Sequence, residues 1–169
     1  MKEKVIDECN HLARKYGYED LTFLCGDVVG YESDEPIDMV VTLHACDTAT
    51  DYALEKAIKW DAKVIFSEPC CQHEVNTQIQ QEILQPILKY GLLKERIAAL
   101  ITDGIRANLL EEEGYQVQVM EFIDMEHTPK NILIRAIRDK SRAGKKGDIQ
   151  KTTKFLGVEN TLQKLLEGR

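Results

Sequence analysis

Two short stretches carry nearly all the residue types able to do chemistry. "SEPCCQHE", Ser67 to Glu74, ends an apolar run in Cys70, Cys71 and His73. "MVVTLHACD", Met39 to Asp47, ends another in His44, Cys46 and Asp47. Three chemistries are open to such a pair: a metal site, a nucleophile with its base, or the floor of a ligand cleft built from adjacent strand ends. Zinc takes these ligand types in tetrahedral sets. Against it, neighbouring cysteines on extended backbone point in different directions and no Cys-x-x-Cys pair is present, so the expectation is no metal. Cysteine is also a small buried hydrophobe in many cores. His44 can act as a base or a hydrogen-bond donor, its pKa lying near neutrality, or can simply satisfy backbone at a strand end. Asp47 and Asp51 suit helix capping, and Asp47 can hold His44.

The elements that position these residues follow from periodicity. "IDMVVTL" (37–43) is continuously apolar after Asp38, as a strand buried on both faces is, and "AKVIFS" (62–67) reads as a second buried strand. "DTATDYALEKAIKW" between them is a helix, with Asp47 or Thr48 as cap and Thr48 with Asp51 close to a capping box. An amino-terminal helix with Val5, Cys9, Leu12 and Ala13 on one face closes at Gly17. "LTFLC" (21–25) is a short strand, followed by a turn. Ile79, Ile83, Ile87 and Tyr90 mark a helix kinked at Pro86 and ended by Gly91. Ile97, Ile101, Ile105 and Leu109 mark another, stopped by Gly114. "YQVQVMEFI" and "NILIRAIR" form a terminal strand pair, and "NTLQKLLE" a last short helix. Strands alternating with helices predict an open α/β sheet, whose ligands bind outside the carboxyl ends of the strands. Both clusters belong at that rim. The 169 residues suit one domain spanning 1–169, with no linker marking a boundary.

Composition narrows the function classes. Hydrophobic residues make up 43% and charged residues 30%, and no apolar run approaches a membrane span. An odd count of five cysteines without disulfide-like spacing points to a reducing, cytoplasmic setting. The net charge of -7 argues against a wholly basic surface for nucleic acid. Eight lysines and arginines nevertheless fall between Arg135 and Lys154, against Asp139 and Asp148; such a run reads as a solvated loop or an RNA contact. Arg106 and Lys130 could face an anionic substrate.

"VVTLHACDTATDYAL", "VIFSEPCCQHE", "YGLLKERIAALITDGIRANLLEEEGY" and "EFIDMEHTPKN" together resemble a family of bacterial S-adenosylmethionine-dependent methyltransferases. More distantly they resemble the eukaryotic tRNA 2′-O-methyltransferases acting on the fourth nucleotide of the acceptor stem. The likeness runs from about Lys2 to Arg138. It implies a Rossmann-like sheet of order 3-2-1-4-5-7-6, S-adenosylmethionine as cofactor, and RNA as first choice of acceptor. It also implies cofactor contacts at Gly26, Asp27, Leu43, His44 and Ala45, with Asp27 accepting from the adenine amino group; a turn aspartate satisfying its own backbone is the other reading of Asp27. His44, Asp47, Cys70, Cys71 and His73 would form the catalytic, acceptor side. "EPCCQH" keeps one proline of the Asn/Asp-Pro-Pro-aromatic loop of amino-group methyltransferases, but neither its amide nor its aromatic. The family's glycine-rich loop has no counterpart, since the chain holds no Gly-x-Gly. The chain is therefore expected to lack the first two strands, leaving a mostly parallel sheet with a terminal antiparallel pair. A bare "DMVVTL" edge would recruit either "TFLC" or a second copy as a homodimer.

Overall fold

The computed structural model describes residues 2–43, 45–123, 131–142 and 147–168. They divide into two compact units, Met1–Glu32 and Ser33–Arg169.

In the first unit, helix α1 (Lys2–Lys15) ends where Gly17 takes φ +80°. The Gly17 N–H donates to Arg14 O and the Tyr18 N–H to Ala13 O, a Schellman closure that favours glycine at the left-handed position. Residues 21–25 form no strand, which corrects the expectation for "LTFLC". The Asn10 amide does a neighbouring strand's work at one residue only: its Nδ2 donates to Phe23 O at 2.9 Å and its Oδ1 accepts from Phe23 N at 2.8 Å. A 3-10 turn follows at Val28–Gly30, capped by Asp27.

The second unit runs β1 (Met39–Leu43), α2 (Thr48–Lys59), β2 (Val64–Glu68), α3 (His73–Gln78), α4 (Gln85–Leu88), α5 (Gly91–Glu112), β3 (Tyr115–Glu121), β4 (Ile132–Arg138), α6 (Asp148–Leu156) and α7 (Thr161–Glu167). The four strands form one sheet of order β1-β2-β4-β3. β1 and β2 are parallel; β4 runs antiparallel to both β2 and β3. The sheet is thus α/β and mixed rather than mostly parallel, because the returning β4 inserts between β2 and β3. β1 is an edge of the sheet formed by the described residues of this unit.

The core lies between the sheet and its helices. Leu54, Ala57, Ile65, Ile105, Leu110, Ile134, Ala136 and Leu162 are all but inaccessible, and each large aliphatic among them contributes about 1.5–3 kcal/mol by burial. The four-residue repeat of α5 precesses round a helix of 3.6 residues per turn. Its first members Ile97 and Ile101 are accordingly half-buried, whereas Ile105 and Leu109 are buried. Gly114, at φ +86°, stops α5 next to Arg138; a Cβ there would approach Arg138 Nη1 to 3.2 Å.

Two further expectations change. The segment 73–90 is not one kinked helix: α3 ends at Gln78, and Pro86 lies in the first turn of α4, where its missing N–H costs nothing. Gly91 opens α5 instead of ending its predecessor. The basic segment also contains α6, whose Ile149, Thr153 and Leu156 form a buried stripe at helical spacing.

Candidate functional site

The parallel register pairs Leu43 with Glu68, so the segments that follow β1 and β2 emerge at one rim. There Cys46 Sγ lies 3.4 Å from Cys70 Sγ, and Cys70 Sγ lies 3.7 Å from Cys71 Sγ. The expectation that the adjacent cysteines diverge fails: both lie beyond the end of β2 at Glu68, where strand alternation no longer governs their side chains. Burial, reinforced by hydrogen bonding with Cys46 and by the bond that Cys70 donates to Cys71, pushes the Cys70 thiol up to about 12. It therefore stays protonated at neutral pH in the absence of a cation.

Asp47 occupies the N-cap position of α2 but does not cap it. Its Oδ1 instead accepts from the Glu74 N–H at 3.1 Å, capping the first turn of α3 from the neighbouring strand end. Asp47 adopts φ 52°, ψ −123° to do so, a conformation that costs a non-glycine residue about 1–3 kcal/mol. The Ala45 carbonyl accepts from Thr50 Oγ1. His73 opens α3 and is exposed; it does not join the thiol cluster. Leu43 is exposed at the end of β1. His44 lies outside the described residues, as does Lys130. Gly26 and Asp27 belong to the first unit, where Asp27 Oδ1 accepts from Val29 N at 3.0 Å and a Cβ on Gly26 would meet open space.

Beneath the rim runs a buried charged network that sequence reasoning missed. Arg106, expected to face a substrate, is fully buried. Its Nε and Nη2 donate to the two carboxylate oxygens of Asp51 at 2.9 and 2.8 Å. Nη1 reaches Asp103 at 3.3 Å, and Nη2 also donates to the Asp47 carbonyl at 2.8 Å. Burial lowers the guanidinium pKa, but the hydrogen bonds and charge of Asp51 outweigh it and the net shift is upward. Asp51 is thus an ion-pair member and not part of a capping box with Thr48. Gln72 Nε2 donates to both oxygens of Asp103 at 3.3 and 3.2 Å. Glu74 accepts from Thr161 N at 3.0 Å and Thr161 Oγ1 at 2.6 Å, tying α3 to α7. Both rim segments are therefore fastened to α5. A sequence signal did exist: Asp51, Asp103 and Arg106 fall on the apolar faces of their helices.

Next to the rim opens a cavity of about 460 Å³, lined by Pro69 and Gln72 after β2, Leu92, Arg96, Leu100 and Asp103 of α5, and Glu121 and Ile132 of β3 and β4. It lies at the carboxyl ends of β2 and β3, where α/β sheets take ligands. Burial lifts the Asp103 carboxyl to about 6, against the pull of Arg106 and the Gln72 hydrogen bond.

Several cations of the basic segment are engaged within the chain. Arg138 and Lys140 hold Asp61 at 2.6 and 2.8 Å, and Lys151 holds Asp148 at 2.8 Å. Lys145 and Lys146 lie outside the described residues. Among the described residues no helix is long and apolar enough to cross a membrane.

No curated protein and no solved structure matches this chain. Residues 1–78, which run from α1 into α3 and include both strand-end clusters, match the model of a family described as a methyltransferase domain.

Proposed function

We propose that this chain is an S-adenosylmethionine-dependent methyltransferase domain with RNA as its acceptor. The observation that carries the reading is the methyltransferase-domain match over residues 1–78, which takes in both clusters at the β1–β2 rim. The sheet supports it: numbered as strands 4, 5, 6 and 7, the order β1-β2-β4-β3 reads 4-5-7-6, the second half of a Rossmann-like methyltransferase sheet.

S-adenosylmethionine supplies an electrophilic methyl group on a sulfonium. Asp27 suits its adenine, because one carboxylate oxygen is held by Val29 N and the other can accept from the amino group. Gly26 leaves room for close approach, and the family resemblance assigns Leu43, His44 and Ala45 to the sulfonium side. Methyl transfer needs alignment and a dry site more than strong acid–base chemistry. Asp47, Cys70, Cys71 and His73, with His44, shape the acceptor side. No nucleophilic role is assigned to Cys70 in this reading. The adjoining cavity receives the acceptor group, with Gln72 and Asp103 at its wall.

RNA phosphates would meet Arg135 and the exposed Lys154 rather than cations committed to Asp61 and Asp148. The edge of β1, with Met39, Val41 and Leu43 exposed, pairs with a second copy in this reading. Cysteines kept as thiols suit the reducing cytoplasm.

Isothermal titration of the full chain with S-adenosylmethionine and with its demethylated product tests the proposal. Micromolar binding at one site, weakened about tenfold by Asp27→Ala through loss of a hydrogen bond of about 1.4 kcal/mol, is expected. Absence of heat from a chain shown to be folded by circular dichroism overturns it and leaves a domain serving interaction alone.

A further inference from the structure

We propose that Cys46, Cys70 and Cys71 form a binding site for one zinc ion, to which they supply three thiolate ligands. Their ligand atoms all lie within 4.8 Å of one another. A zinc–sulfur bond of about 2.3 Å sets sulfur–sulfur edges of about 3.8 Å in a tetrahedron. Two edges already stand at 3.4 and 3.7 Å, so closure on a cation needs movements of a few tenths of an ångström.

The ligands are also held in advance. Cys46 precedes Asp47, whose side chain is fixed to the start of α3 and whose carbonyl is fixed to Arg106. Cys70 and Cys71 lie between Pro69 and Gln72, and Gln72 Nε2 bonds both the Pro69 carbonyl at 3.4 Å and Asp103. Thiol ligands favour a soft ion such as zinc over magnesium or calcium, which require oxygen. A disulfide would use two sulfurs, close a gap to about 2.0 Å and leave the third without a role; zinc uses all three. Among the described residues no histidine or carboxylate joins the cluster, so the three thiolates define the site there. Binding replaces the three thiol protons, which pass to the buffer, and leaves a complex of charge −1.

The full chain should be purified without added metal, analysed for elements, stripped with chelator and reloaded with zinc or cobalt(II). One zinc per chain is expected, and the cobalt form should show thiolate-to-metal charge transfer with the intense d–d bands of a tetrahedral centre. Cys46→Ser and Cys70→Ser should each weaken zinc binding at least tenfold in chelator competition, whereas Cys9→Ser and Cys25→Ser leave it unchanged. If a variant fails to fold, alkylation of the wild-type chain decides the matter: zinc should protect Cys46, Cys70 and Cys71 and leave Cys9 and Cys25 reactive. Substoichiometric zinc after reloading, copper in its place, a cobalt spectrum lacking thiolate charge transfer, or equal reactivity of all five thiols with and without zinc would each overturn the assignment. None of these readouts depends on methyl transfer.

Discussion

Replacing Arg106 by methionine removes the only guanidinium described within the buried network and leaves two carboxylates behind. Asp51, itself inaccessible, would lose both bonds of its bidentate pair and keep only Asn160 Nδ2, at 3.4 Å. Asp103 would lose one charged donor, and the Asp47 carbonyl its guanidinium bond. Breaking a buried ion pair by removing one partner costs about 3–5 kcal/mol, since the remaining charge is neither solvated nor paired. We take about 4 kcal/mol, a large share of the roughly 5–15 kcal/mol that holds a domain of this size. With a urea dependence of about 2 kcal/mol per molar, the unfolding midpoint of Arg106→Met should fall by about 2 M. Arg106→Lys keeps the charge but not the fork, and should lie between the two. Removing the orphaned charge as well, in Asp51→Leu/Arg106→Met, should recover about 2 kcal/mol relative to the sum of the single changes. An Arg106→Met midpoint within about 0.5 M of wild type would refute the reasoning, as would single effects that simply add.

Asp103 sets a pH dependence. Its folded pKa is raised from 3.8 to about 6, so between those values the folded chain holds a proton that the unfolded chain has released. Its stabilising contribution is full below about pH 4 and is lost as pH rises through 6, a change of about 3 kcal/mol. Urea midpoints of wild type and Asp103→Asn should therefore diverge across that window; parallel profiles would contradict the assignment. At Asp47, alanine should cost about 1–2 kcal/mol through loss of the α3 cap, while glycine should cost less because it relieves the positive φ; equal costs would show that the backbone there is unstrained. Light scattering of wild type should report a dimer and Val41→Lys a monomer, since charge on an edge strand blocks pairing; a wild-type monomer across micromolar concentrations ends the edge-pairing reading.

What was legible in the sequence was local. Apolar runs mark β1 and β2, although β1, expected to be buried on both faces, is an edge strand with Met39, Val41 and Leu43 exposed; alternation marks β3 and β4, and Gly17 and Gly114 end helices because their positive φ suits no other residue as well. Pattern failed where a signal was right but its partner was distant. Asp47 has the chemistry of a cap, and a capping rule assigns it to the helix it precedes. Its carboxylate instead serves Glu74 N, 27 residues on, because parallel β1 and β2 bring the two loops side by side. "LTFLC" has a strand's composition, but strand structure needs a ladder, and a single asparagine amide supplies one rung. The cysteines misled for the converse reason: alternation of side chains holds only while backbone is extended, and β2 ends two residues before Cys70.

The charged network unites these cases. Asp51 and Arg106 are separated by 55 residues and Asp51 and Asn160 by 109, so no window of periodicity contains the pair. Each is nonetheless anomalous where it stands, a charge among Thr50, Ala53 and Leu54 in α2 and among Ile105, Ala107 and Leu109 in α5. Burying a charge alone is so costly that one such residue on a helix's apolar face demands a partner of opposite sign, and two on different helices imply that the helices meet. Here the Asp51–Arg106 pair ties α2 to α5 and, through the Asp47 carbonyl and Gln72, ties in the β1 and β2 loops. Parallel β1 and β2 set the two loops side by side, and the network then holds them where Cys46 lies 3.4 Å from Cys70. Loosening Arg106 should therefore lower zinc affinity without touching a ligand, a coupling that chelator competition on Arg106→Lys can read.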